Sequence, residues 1–316
     1  MIKIKNIHEH CTLDDLSISH HDVVFHGREV DIRTKEILNK ITKECNENTF
    51  FVKYNKDTFR LKIGNEDVSP RKLEEFFSTK MYNSVFIEAT SLDLPEIIYI
   101  FSGITLSKSS CNITISYLEP DDYQRSTNTS DSKQSGIQEQ EFNLSDNQGN
   151  FGYLPLFAVN NSQMSKSTLV TTLGFESSRL GQLLAQDDGY AYERIEAYVG
   201  LPAYKPGWEN RSIYKHMRYL SPDSAELKLF PACNPYEFTK QLSKLTRRGQ
   251  KKQLVFAPMG TKPAVIAIST FLVNECLGQD KNSNFGALYD FPEKSQNRST
   301  GVGKIYSYDL ESKDNE

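Results

Sequence analysis

The short signatures of phosphate, ester and zinc chemistry are absent from this sequence. Its 316 residues contain no Gly-x-Gly-x-x-Gly, no Walker loop, no Gly-x-Ser-x-Gly and no His-Glu-x-x-His. That removes the commonest dinucleotide, P-loop, α/β-hydrolase and zincin readings. Cysteine is sparse. Cys11, Cys45, Cys111, Cys233 and Cys276 are scattered, odd in number and never spaced as Cys-x-x-Cys, so neither a disulfide framework nor a structural zinc site is expected and the five read as reduced thiols. There is no excess of basic charge, with 37 Lys plus Arg against 41 Asp plus Glu, which excludes the global cationic field that holds nucleic acid non-specifically. No stretch approaches the roughly 20 apolar residues that span a bilayer, and Met1-Ile-Lys-Ile-Lys-Asn6 has no apolar run behind its charges. A cytoplasmic protein with no membrane partner is the expectation. No metal and no cofactor are expected: His8, His10, Cys11, His20 and His21 crowd the first residues, but at spacings of no ligand pattern and without acidic partners to orient them.

What the chain does have is alternation of short apolar runs with helical segments. In the first part, ordered structure is expected to begin at Asp22-Val-Val-Phe-His26, a strand, followed by a helix through Lys43. Thr49–Tyr54 and Thr58–Ile63 read as a hairpin, Ser69-Pro70 as a helix start, Ser84–Glu88 as a strand, Glu96–Phe101 as an apolar helix and Cys111–Leu118 as a strand. Gln124–Gln140 is rich in Ser, Thr, Gln and Asn without periodicity and reads as a linker. The second part repeats the plan: strands at Ser167–Leu173, Arg194–Val199, Leu227–Phe230, Leu254–Ala257 and Phe285–Tyr289, with helices at Leu180–Gln186, after the loop Leu201–Trp208 through Leu220, at Pro235–Leu245 and from Ala264. Such alternation predicts an α/β protein of two Rossmann-like halves with mostly parallel sheets. The division is residues 1–122, a polar linker at 123–150, and residues 151–316.

The halves correspond in three places, in the same order. Val23-Val-Phe-His-Gly27-Arg-Glu29, with Arg33 on the next helix, sets beside Leu169-Val-Thr-Thr-Leu-Gly174-Phe-Glu176 with Arg179. The stretch from Val85 to Pro95 sets beside that from Val255 to Pro263, and Tyr117-Leu-Glu-Pro120 beside Tyr289-Asp-Phe-Pro292. Together they predict an internal duplication. Two such halves can face the carboxyl ends of their strands toward one shared cleft, where open α/β sheets bind ligands.

The turn Pro258-Met-Gly-Thr-Lys-Pro263 joins a buried strand to an apolar helix. A helix opening there directs backbone N–H groups, a hydroxyl and an ammonium at one spot, which suits an anion; an ordinary strand-to-helix turn reads the same way. Gly260-Thr261-Lys262 in this setting resembles the Gly-Thr-Lys turn of the CRISPR-associated Rossmann fold sensors, whose paired Rossmann-like domains bind cyclic oligonucleotides at a dyad. The resemblance covers about a dozen residues and the overall alternation. It implies that Gly260, Thr261 and Lys262 contact a nucleotide or cyclic oligonucleotide, that Gly174, Phe175 and Glu176 line the same pocket, and a role in bacterial antiviral defence. Met259 stands where that family commonly carries a further glycine, and the corresponding turn of the first half, Thr90-Ser-Leu-Asp93, has an acid and no lysine. Asp93 would repel a phosphate, which tells against a symmetric ligand held equally by both halves.

Other residues carry competing chemistry. Glu29 and Glu176, each followed by an arginine, fit carboxylates steered by a guanidinium in a nucleotide hydrolase or transferase, although such a pair is more often a structural ion pair tying a loop to its helix. Arg211-Ser-Ile-Tyr-Lys-His216 has the Arg-x4-His spacing of HEPN-type ribonucleases, though within an α/β half. The basic run Lys244–Lys252 closes a helix and reads as a solvated terminus. Trp208 fits either a base-stacking residue or a loop anchor. The alternatives are therefore a sensor that binds a phosphorylated ligand, an enzyme, and an adaptor for an effector protein, with self-association open to all three.

Overall fold

The computed structural model describes residues 1–45, 48–125, 142, 144–147, 149–159, 167–186, 192–220, 223–247, 253–277 and 284–313. The first half runs β1 (Ile2–His10), β2 (Val23–His26), α1 (Ile32–Glu44), β3 (Thr49–Asn55), β4 (Arg60–Ile63), β5 (Glu66–Val68), α2 (Leu73–Lys80), β6 (Ser84–Glu88), α3 (Leu94–Leu106) and β7 (Cys111–Tyr123). Two short strands follow, β8 (Ser145–Asn147) and β9 (Gly152–Tyr153). The second half comprises β10 (Ser167–Thr172), α4 (Ser177–Gln186), β11 (Tyr192–Gly200), α5 (Trp208–His216), β12 (Ala225–Phe230), α6 (Pro235–Arg247), β13 (Leu254–Pro258), α7 (Lys262–Leu277) and β14 (Phe285–Tyr289). The chain then adds β15 (Glu293–Lys294) and β16 (Ser299–Ser312).

The fold is α/β, as the alternation predicts. Of the two large sheets, one has the order β1-β16-β7-β6-β2-β3-β4-β5 and the other β12-β11-β10-β13-β14-β9, and β15 pairs with β8 in a small third sheet. Within the large sheets β3-β2-β6-β7 and β11-β10-β13-β14 are parallel and have the same order. The duplication therefore holds at the level of topology. Its glycines explain themselves by close approach: a Cβ on Gly27 would lie 2.7 Å from the carbonyl oxygen of Ser91, and one on Gly174 would lie 2.2 Å from that of Met259. Each is the point where the turn after the first parallel strand crosses the turn after the third. The turn after the third strand is longer in the first half, where six residues carry the chain from Ile87, the register partner of Phe25, to Asp93 before α3. Only three carry it from Pro258, the partner of Thr172, to Thr261 before α7.

Helices α3 and α7 pack against each other between the two sheets. Both are apolar all round and buried along nearly their whole length, as a helix covered on every side must be. One continuous core joins Ile87, Ile97, Phe101 and Ile115 of the first half to Val170, Tyr198, Phe256, Ile266 and Phe271 of the second. Burying each such large side chain contributes about 1.5–3 kcal/mol, so most of the stabilisation is shared. Smaller cores lie outside each sheet, under α1 (Ile37, Ile41) and under α4 (Leu180, Leu183).

Two expectations need correction. Ordered structure begins at Ile2 and not at Asp22, because the Ile2-Lys-Ile-Lys alternation buries Ile2 and Ile4 and pairs β1 antiparallel to β16. The histidines there are strand residues, with His8 on Asp309 and His10 on Ser307. The chain end also returns: β16 pairs with β7, so residues 299–312, grouped by sequence with the second half, complete the first sheet. Smaller differences are a helix that stops at His216 and continues as a 3₁₀ turn to Tyr219, and a Ser69 whose side chain makes no capping bond. Of the polar stretch Gln124–Gln140, residues 126–140 lie outside the described residues, as do 248–252 of the basic run. All five cysteines are free. No helix among the described residues is long and apolar enough to cross a membrane.

Candidate functional site

A cleft opens where the carboxyl ends of the parallel strands of both sheets come together. Thr90, Asp93 and Tyr117 line it from the first half. Gly174, Phe175, Glu176, Trp208, Gly260, Thr261 and Lys262 line it from the second, and Lys294 and Arg298 from the returning segment. Every strand-end turn singled out by sequence in the second half is thus in one place. The position follows from topology, since parallel strands deliver their following turns to a single edge.

At its centre is a charge cluster that joins the halves. The ammonium of Lys262, the first residue of α7, lies 2.6 Å from Asp93 Oδ1 and also donates to the carbonyl oxygen of Leu92. Lys294, carried on β15 and held by the pairing of β15 with β8, lies 2.9 Å from the same Asp93 oxygen. Burial alone would raise the Asp93 carboxyl, but the two ammonium groups overcome it and hold the carboxyl well below the usual carboxylate range. Burial has the opposite consequence for Lys294, which is 6% exposed, and brings its pKa down to about 7 despite Asp93. Glu96 closes the cluster from α3 by accepting the backbone N–H groups of Asp93 and Tyr54; its own carboxyl is raised by burial and by Asp93.

The arginine of each half is held in a matching way. Arg179 makes a two-bond contact with Asp290, 2.6 Å on each side, and Arg33 donates to the carbonyl oxygen of Leu118 at 3.2 Å. Asp290 and Leu118 each follow the corresponding tyrosines, Tyr289 and Tyr117, which both line the cleft. Arg33 is neutralised by Asp31 at 2.6 Å, and Arg298 stands 3.6 Å from the same carboxylate. The predicted pairing of Glu29 with Arg33 is not formed: Glu29 is exposed and is absent from the cleft lining, because Asp31, at the start of α1, is the nearer buried acid. Glu176 does face Arg179, at 4.0 Å, and accepts a bond from Ser145 at 3.1 Å. Burial raises its carboxyl against the pull of Arg179 and Ser145.

An aromatic cluster borders the cleft. Trp208 stacks on Tyr123 with ring centres 5.3 Å apart, and Phe175 meets Trp208 edge-on at 5.3 Å. Phe142 packs on both Phe175 and Trp208, and Lys205 lies over the indole at 5.7 Å. Trp208 therefore anchors the α5 end against β7 of the other half, while Phe175, Trp208 and Tyr123 remain part of the cleft lining.

Arg211 and His216 are both on α5 but do not form a reacting pair. His216 is fully buried, its Nδ1 bonded to the carbonyl oxygen of Ser212 at 2.8 Å and its pKa lowered by burial, while Arg211 lies over the Phe142 ring at 4.0 Å. The Gly260 N–H is spent on Thr172 Oγ1 at 3.1 Å, and Thr261 Oγ1 donates to the carbonyl oxygen of Ala232 at 3.3 Å. Sequence reasoning missed Lys294, Arg298 and Tyr123 as cleft residues, and Asp31 as the buried acid behind them. Asp31 carries a helix-start signal, whereas Lys294 and Arg298 sit in a polar segment whose path only the tertiary fold defines. No protein-family model, no curated protein and no solved structure matches this chain, so the reading of the site rests on its geometry.

Proposed function

We propose that this protein is a sensor or regulatory component that binds a nucleotide-like, phosphorylated ligand in the cleft between its halves. One observation carries the reading: Asp31 and Asp93 each face two cations, Arg33 with Arg298 and Lys262 with Lys294. Each group holds one positive charge more than its carboxylate balances when Lys294 is protonated and the adjoining Glu96 and Glu176, whose carboxyls burial raises, are neutral. A phosphodiester placed between them meets two unbalanced cationic groups in a partly desolvated setting, where charge-assisted bonds are strongest. The neighbouring rings of Phe175, Trp208 and Tyr123 supply flat apolar surface for a base. The similarity of Gly260-Thr261-Lys262 to the turn of the CRISPR-associated Rossmann fold sensors supports the same ligand class, and with it a part in bacterial antiviral defence.

The site is asymmetric by construction. The second half contributes Lys262 to the centre and the first contributes Asp93, so a ligand with twofold symmetry meets unlike chemistry at its two ends. Calorimetry against mononucleotides, linear dinucleotides and cyclic oligonucleotides tests the proposal. A ligand that binds without turnover, and more weakly by about ten- to a hundredfold to Lys262→Ala, is the expected result, since a hydrogen bond to a charged group contributes about 1.5–3 kcal/mol. Binding as tight to Lys262→Ala as to the parent chain, or conversion of the ligand to product, overturns it.

A further inference from the structure

The second sheet ends in a strand that is unusual for an edge. β12 is the outer strand next to β11, and no other described strand pairs with its far side. The carbonyl oxygens of Ser224 and Phe230 accept bonds from Ile195 and Leu201, on the β11 side. Groups alternate along a strand, so Glu226 and Lys228 also bond toward β11, and Ala225, Leu227 and Leu229 present their N–H and C=O groups outward. Leu227 and Leu229 are 40% and 50% exposed. They stand beside Ala197 and Val199 of β11, which are buried under α4, so the apolar face of the sheet runs out to the edge and is left open there.

The other edges are protected. β1 carries Lys3, Lys5, Asn6, His8 and Glu9 and a register break between Ile4 and Asn6, β5 has three residues and β9 two. Lysines, irregular register and shortness are the means by which sheet edges avoid pairing. β12 has six residues in regular register, and its one lysine, Lys228, is drawn onto Glu196 at 2.8 Å and Glu226 at 3.5 Å.

The order Ala225-Glu-Leu-Lys-Leu229 is complementary to itself when read antiparallel about Leu227. Leu227 falls opposite Leu227 of a second copy, Ala225 opposite Leu229, and Glu226 opposite Lys228 twice. The residues with outward groups are those that a narrow antiparallel pair must exchange. Opposite charges face each other at the wide pairs, and the four leucines form one stripe on the open face. We infer that β12 pairs with β12 of a second copy of this chain across a twofold axis, joining the two second-half sheets into one.

An edge-to-edge contact of one short strand lies at the small end of interface sizes, so a reversible dimer is expected at micromolar to submillimolar concentration. Sedimentation velocity of the full chain over that range should show a concentration-dependent monomer–dimer equilibrium. Leu229→Lys should raise the dimer Kd by at least about tenfold, with a melting temperature close to the parent's because the side chain is half exposed. Charge reversal gives a second test that does not depend on the leucine. Glu226→Lys alone and Lys228→Glu alone each place like charges opposite one another in a self-pair and should remain monomeric. Mixing the two variants pairs Lys with Glu at both positions and should restore the dimer. A chain that stays monomeric throughout the range, or a dimer that neither Leu229→Lys nor the single reversals weaken, overturns the inference; so does failure of the mixture to associate.

Discussion

Lys262 and Asp93 occupy corresponding turns of the two halves and are bonded to each other at 2.6 Å. The acid that sequence alone marks as hostile to a phosphate is thus the resting partner of the lysine proposed to bind one. A ligand must compete with Asp93 for Lys262, and the cost of that competition is built into its affinity.

Replacing Asp93 by Asn separates the two roles. The variant leaves Lys262 and Lys294 in a mostly buried site without their carboxylate, and removing one partner from a buried ion pair costs about 3–5 kcal/mol. Its melting temperature should fall, and its affinity for a linear dinucleotide with a phosphodiester should rise above that of the parent. Thermal melts with and without the dinucleotide measure both. A destabilised Asp93→Asn protein with unchanged affinity would show that the pair only ties the halves together.

The pH dependence follows from Lys294, whose value near 7 in the folded chain lies below the ordinary 10.5. Between these values the unfolded chain binds the extra proton, so this group makes the protein more stable as pH rises through about 7 to 10.5. Ligand binding runs the other way, because deprotonated Lys294 no longer adds its charge to the cluster. Affinity for a phosphodiester, whose own charge is constant there, should fall from pH 6 to pH 8. Lys294→Met should flatten both trends; an unchanged pH profile in that variant would assign them to another group.

Gly174→Ala tests the turn geometry. Its added Cβ would lie 2.2 Å from the backbone oxygen of Met259, whereas one on Gly152 would meet nothing within 4 Å. Overpacking against backbone that cannot turn aside costs about 1–3 kcal/mol, and Gly152→Ala should cost far less. Denaturant unfolding of the two variants compares them directly. Equal stabilities would mean that the Gly174 turn relaxes without penalty.

Much of the interior was readable in advance, because Val85-Phe-Ile87 and Leu254–Ala257 are continuous apolar runs, and a run that length between turns is the mark of a strand buried on both faces. The matched glycines and tyrosines located the equivalent turns, and with them the cleft. What escaped was long-range. Tyr306, Tyr308 and Leu310 alternate with polar residues as an edge-type strand does, but nothing in that pattern says which sheet it joins. Arg33 was paired by sequence proximity with Glu29, yet its carboxylate is that of Asp31, a choice made by burial rather than spacing.

The shared core bears on how the chain comes apart. The polar stretch from Gln124 to Gln140 invites division into two fragments, but α3 and α7 are buried against each other, and β16 crosses from the second half into the first sheet. A fragment ending near Gln124 would lack β16 and would expose the apolar surfaces of α3 and β7. A protease site engineered between Gln124 and Gln140 should therefore yield two chains that remain together in gel filtration under native conditions and separate only in denaturant. Neither chain expressed alone should give a cooperative melt, since each would leave the common core half covered. Recovery of two fragments that fold independently would show that each half carries a sufficient core of its own.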